Sequence, residues 1–114
     1  MKVVRIYTGD DGESHVELID ERALPYEAGT SRTPNLEARG VQFAARAIGT
    51  IDFHPAPRRQ YMVYLTARVE IGLGDGSTVV MEPGDVLQAE DTTGHGHTSN
   101  VLQGGMCMVV RLED

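Results

Sequence analysis

One cysteine, Cys107, stands among the 114 residues, so an internal disulfide is excluded. Positive charge is scarce: 10 Lys and Arg against 17 Asp and Glu give a formal net charge of −7. Nucleic acids and anionic lipid surfaces are bound by clustered cations that displace counterions, and the only basic cluster here is Arg58-Arg59. Generic binding to either is therefore not expected. No apolar run approaches the length of a membrane span, and no N-terminal apolar stretch marks a secretion signal. A soluble cytoplasmic chain is expected. There is also no P-loop, no dinucleotide-binding glycine fingerprint, no Gly-x-Ser-x-Gly elbow and no Cys-x-x-Cys pair. Gly72-x-Gly74-x-Gly76 is glycine-rich but belongs to a hairpin.

The length suits one domain with a single core, and 13 glycines point to many turns. Residues 1–40 read as N-terminal strands and an arm, and residues 41–114 as the core of the domain. Met1 to Thr8 is rich in β-branched and aromatic residues and runs into the turn Gly9-Asp10-Asp11-Gly12. Ser14 to Asp20 alternates as a half-exposed edge strand, with His15 on its polar side. Glu21 to Gly40 carries Pro25, Gly29, Pro34 and Gly40 and few apolar side chains, which argues for an irregular arm and against a helix. Leu24 and Tyr26 are its candidate anchors, and Leu36 is a candidate lid residue over the mouth of the fold. From Val41 to Phe53 a period of two places Phe43, Ala45, Ala47, Gly49 and Ile51 on one face, against Gln42, Arg46 and Thr50, and argues for strand.

The clearest local signal is the hairpin from Val69 to Met81, where Asp75-Gly76 supplies the positive φ angles of a tight turn. Pro83-Gly84-Asp85 makes a second turn, and Val86 to Ala89 follows as strand. Val101-Leu102, the Gly104-Gly105 turn and Met106 to Leu112 close the chain, with Cys107 as buried packing. About ten short strands and no helix are expected in all. Two sparse histidine sites flank this run. The first is His54-Pro55-Ala56-Pro57-Arg58-Arg59-Gln60, where each proline holds the chain extended. The second is Asp91-Thr92-Thr93-Gly94-His95-Gly96-His97.

This order resembles the cupin superfamily, in particular its small single-domain members. Pro83-Gly84-Asp85 matches the opening of the second cupin motif, Asp75-Gly76 the intermotif hairpin, His54 the first histidine slot and His95 the spacing of the last. The chain departs from the pattern at Ala56, in place of a histidine; at Gln60, in place of a glutamate; at Ala67, in place of a glycine; and at Glu90, in place of a proline. The resemblance covers about half the chain. It implies an all-β fold, a jelly-roll barrel of the double-stranded β-helix type. It also implies a homodimer formed through edge strands and the N-terminal arm, and a divalent transition metal (Fe, Mn, Ni or Zn) in the barrel mouth.

A barrel gathers inward side chains that are distant in sequence, so His54, Gln60, His95 and His97 are the candidate metal ligands. Two or three imidazoles with an oxygen donor make an open site, with room for water or substrate. His97 can replace the missing imidazole, and Glu90 or Asp91 the missing charge. The spacing leaves open which of His95 and His97 faces the lumen. If Gln60 points inward, as the matching glutamate does in cupins, Met62 and Tyr64 line the pocket with it. Arg59, or Arg58 beside it, is a candidate clamp for a carboxylate substrate at the mouth; the other reading of both is surface charge. The function expected is metal-dependent chemistry of a dioxygenase, isomerase or decarboxylase kind on a small organic metabolite. The competing reading is a metal-free module that binds a small ligand without catalysis.

Overall fold

A computed structural model describes residues 1–113. Ten strands run through it: β1 Val3–Thr8, β2 Ser14–Ile19, β3 Ala38–Arg46, β4 Gly49–His54, β5 Gln60–Tyr64, β6 Arg68–Gly72, β7 Thr78–Met81, β8 Val86–Glu90, β9 His97–Gln103 and β10 Gly105–Leu112. The only helical turn among the described residues is a 3-10 turn at Glu21–Ala23, capped by the Asp20 side chain. No helix among these residues is long and apolar enough to cross a membrane.

The strands form two sheets, one of six strands in the order β2-β1-β8-β5-β10-β3 and one of four in the order β4-β9-β6-β7. Neither sheet closes on itself or on the other, so the fold is a two-layer all-β arrangement and not a closed barrel. One core fills the space between the layers. Val4, Ile6, Leu87, Ala89 and Cys107 enter it from the six-stranded sheet, and Val69, Ile71, Met81 and Val101 from the other. Each large aliphatic side chain taken out of water there contributes roughly 1.5–3 kcal/mol.

The core is not confined to residues 41–114, because residues 1–40 contribute to it. β1 lies inside the six-stranded sheet, antiparallel to β2 and parallel to β8, with Val4 and Ile6 fully buried. The Pro83-Gly84-Asp85 turn is tied to this segment, because Asp85 accepts the Lys2 backbone N–H at 2.8 Å through one oxygen and the Glu82 N–H at 2.8 Å through the other. β2 is an edge strand, as its alternation predicts, with His15 exposed on it. The arm lies against the solvent side of the six-stranded sheet. Leu24, Pro25, Pro34 and Leu36 roof a hollow of about 1040 Å³ there, floored by Val3, Tyr61 and Val86. Leu36 is therefore no lid over the space between the sheets.

The segment read as one strand from Val41 to Phe53 is two strands in different sheets. β3 pairs with β10 and β4 with β9, and the chain crosses between layers at Ala47-Ile48, next to Gly49 at φ 152°. A period of two persists through the break, which is why the sequence alone does not reveal it.

Candidate functional site

The space between the sheets narrows to a cavity of about 140 Å³. Its walls are Arg46 from β3, Ile51 and His54 from β4, Ala56 and Pro57, Gln60, Met62 and Tyr64 from β5, Ile71 from β6, Leu87 and Ala89 from β8, and His97 and Ser99 from β9. The alternation of β5 accounts for three of these, since Gln60, Met62 and Tyr64 share the inward face. His54 and His97 are register partners across β4 and β9, and their rings meet at 4.8 Å between centroids.

Hydrogen bonds set the tautomer of both rings. His54 Nδ1 lies 2.7 Å from the Asp52 carbonyl oxygen, which can only accept, so Nδ1 carries the proton and Nε2 the lone pair. His97 Nδ1 donates to Asp91 Oδ2 at 2.6 Å, again leaving the lone pair on Nε2. Asp91 is fully buried, and its Oδ2 also accepts the Ser14 hydroxyl at 2.8 Å. Its Oδ1 is buried with no partner among the described residues. A histidine held by a carboxylate or a carbonyl through one nitrogen, with the other free, is the arrangement that a metal-ligating imidazole adopts.

Gly96 makes this closeness possible. A Cβ there would stand 2.1 Å from the His54 carbonyl carbon, and the residue sits at φ 80°, where side chains are strained. The same turn decides between His95 and His97. Gly94 at φ 74° and Gly96 at φ 80° keep the chain from being extended, so the two rings do not share a face. His95 lies outside the cavity, stacked on Phe53 at 3.9 Å with its Nδ1 2.9 Å from Glu13 Oε2.

Arg59 is also elsewhere. It borders the hollow under the arm and donates to Glu90 Oε2 at 2.7 Å, an ion pair that Glu90 shares with Arg5. The cation in the cavity is instead Arg46, which the histidine spacing does not indicate, although alternation along β3 sets it opposite Phe43 and Ala45. Burial raises the pKa of the Tyr64 phenol well above its ordinary value, so it stays protonated as a neutral wall of the site. Burial likewise raises the Cys107 thiol, outweighing the pull of Arg46, and makes it a poor nucleophile.

Fold and site together define an all-β protein of two sheets with a small cavity between them, walled by two oriented histidines, an amide and a guanidinium. No family model matches the chain, and no curated protein does. Among the described residues no three His, Cys, Asp or Glu side chains gather as a metal-binding group. The donor set that could hold a metal is therefore two imidazoles and the Gln60 amide oxygen, which fits an open, weakly charged site.

Proposed function

We propose that this chain is a small cytoplasmic cupin, its two sheets a jelly roll, that binds a divalent transition metal in the cavity through His54 and His97 and acts there on a small organic metabolite. The observation that carries this reading is the pair of adjacent imidazoles lining one cavity, each with Nδ1 hydrogen-bonded so that Nε2 keeps its lone pair for a ligand. Gln60 is the third donor. His95 serves outside the cavity, its ring and Glu13 bracing the loop that delivers His97. Asp91 orients His97 and raises its basicity as a ligand. When bound, the metal would supply Lewis-acid polarisation of a substrate oxygen. The chain's own residues orient the ligand, and the apolar walls Met62, Ile71 and Leu87 keep bulk water out.

The metal-free alternative, a pocket that binds a small ligand without catalysis, is favoured by the lack of an acidic side chain among the ligand candidates facing the cavity. Elemental mass spectrometry on protein purified without an affinity tag separates the two. Near one equivalent of Fe, Mn, Ni or Zn is expected in the wild type, with loss in His97→Ala and an affinity about 10–100-fold weaker in Asp91→Asn. Wild-type protein that is metal-free and refuses all four added ions overturns the metal reading and leaves the binding module. Two copies of the chain associate in this reading.

A further inference from the structure

We infer that Arg46 is the carboxylate-binding residue of the cavity, and that the site takes a compact organic acid, its carboxylate on the Arg46 guanidinium and its other end toward His54 and His97. The inference rests on that cavity being the functional site, and holds for the metal-bound and the metal-free reading alike.

The placement follows from the strand. Phe43 and Ala45 face solvent, so alternation along β3 turns Arg46 inward, where it lines the cavity as the last residue before the chain crosses to the other sheet. Three other half-buried guanidiniums meet a carboxylate, Arg5 and Arg59 that of Glu90 and Arg68 that of Glu82, while Arg111 at the exposed surface meets the neutral Gln42 amide. Among the described residues Arg46 forms no ion pair with a carboxylate, and its side-chain hydrogen bond is to the Cys107 thiol. Its neighbours Tyr64 and Cys107 are held protonated by burial and offer no negative charge. Asp91 does not line the cavity and is bound through Oδ2 to His97 and Ser14.

A partly desolvated cation without an anion is unfavourable, and a protein of net charge −7 could readily have supplied one. The missing charge is the ligand's. The guanidinium fork matches a carboxylate in two parallel hydrogen bonds, and the surrounding low dielectric strengthens them. Size and lining narrow the class further. A volume of about 140 Å³ equals roughly five waters at ~30 Å³ each, room for a short acid and too little for a nucleotide or a sugar phosphate. Met62, Ile71 and Leu87 suit an alkyl portion.

The test is heat-flow titration of the whole chain with pyruvate and isobutyrate, each against its uncharged amide. At least one acid is expected to bind, at least tenfold tighter than its amide. Arg46→Met should lose that preference and Arg46→Lys keep part of it, with circular dichroism confirming the fold of each. Failure of both acids to bind, amides that bind as well as acids, or an acid affinity unchanged in Arg46→Met each overturns the inference. If Arg46→Met does not fold, the wild-type ratio of acid to amide and the Arg46→Lys titration decide. Metal content measured on the same samples keeps the two proposals apart: acid binding by protein that refuses all four added ions sinks only the metal, and metal uptake without acid binding sinks only the role of Arg46.

Discussion

At the scale of single residues, the site depends on a glycine as much as on its histidines. His97 reaches His54 because Gly96 lets the backbone of one loop rest against the backbone of the other. Replacing Gly96 by Ala asks an L side chain to adopt φ 80° and places its Cβ 2.1 Å from His54 backbone atoms. The left-handed conformation alone costs about 1–3 kcal/mol, and the contact adds to it. Urea unfolding of Gly96→Ala should show at least that loss, while Gly76→Ala, where a Cβ meets nothing within 4 Å, should show the backbone term alone. Equal losses in the two would mean that the close approach of the loops has no energetic weight. A glycine between two histidines is visible in the sequence. What it touches is not, because His54 lies in a segment 42 residues away.

At the scale of elements, β8 couples the two sides of the six-stranded sheet. Its inward residues Leu87 and Ala89 wall the cavity, while Glu90 at its end joins Arg5 of β1 to Arg59 of the loop before β5. Burial pushes the Glu90 carboxyl up, but the hydrogen bonds from Arg5 and Arg59 outweigh it, and the net shift is downward from 4.5. The folded protein thus holds this proton less tightly than the unfolded chain. Its contribution to stability is complete above pH 4.5 and is lost as the pH falls through the lower folded value. Wild-type urea midpoints should therefore drop on acidification below pH 4.5. Glu90→Gln should begin lower at neutral pH and slope less across that window. Parallel slopes for the two proteins would remove Glu90 from the acid response. The sequence marks Glu90 as a candidate charge for the histidine site, but strand alternation points it away from the cavity, toward the arginines.

For the molecule as a whole, the feature that bears on assembly is the solvent face of β5, β10 and β3. Register places Tyr61, Val110 and Val41 in one row, Val63, Met108 and Phe43 in the next, and Met106 beside Ala45. None of the eight is charged. Phe43 is 71% exposed and Val41 58%. We propose that a second copy covers them, because a patch without charge lets two chains of net charge −7 meet there without direct repulsion. Three strands spaced ~4.8 Å and about five residues of ~3.4 Å present roughly 240 Å² in plan, below the ~800 Å² per partner of a standard interface. The contact must then extend over Ile48 or the arm, both exposed. Light scattering after size exclusion should give twice the chain mass for the wild type and the chain mass for Phe43→Glu, with circular dichroism unchanged. A wild type that runs as a monomer at micromolar concentration refutes the dimer.

Sequence alone marked the strand content, the hairpin at Asp75-Gly76, the turn at Pro83-Gly84-Asp85, the edge position of β2, the shared face of Gln60, Met62 and Tyr64, and Cys107 as packing. These follow from local chemistry: alternation, turn residues and missing donors act over a few residues and can be read there. The folded structure was needed to show that β1 belongs inside the main sheet, that Val41 to Phe53 divides between layers, that His97 and not His95 enters the cavity, and that Arg46 and not Arg59 is its cation. Each of these depends on which segments pair across long separations. Alternation says that two side chains lie on opposite faces, but it does not say which face will be covered. Strand pairing settles that, and here it joins residue 3 to residue 86 and residue 54 to residue 97.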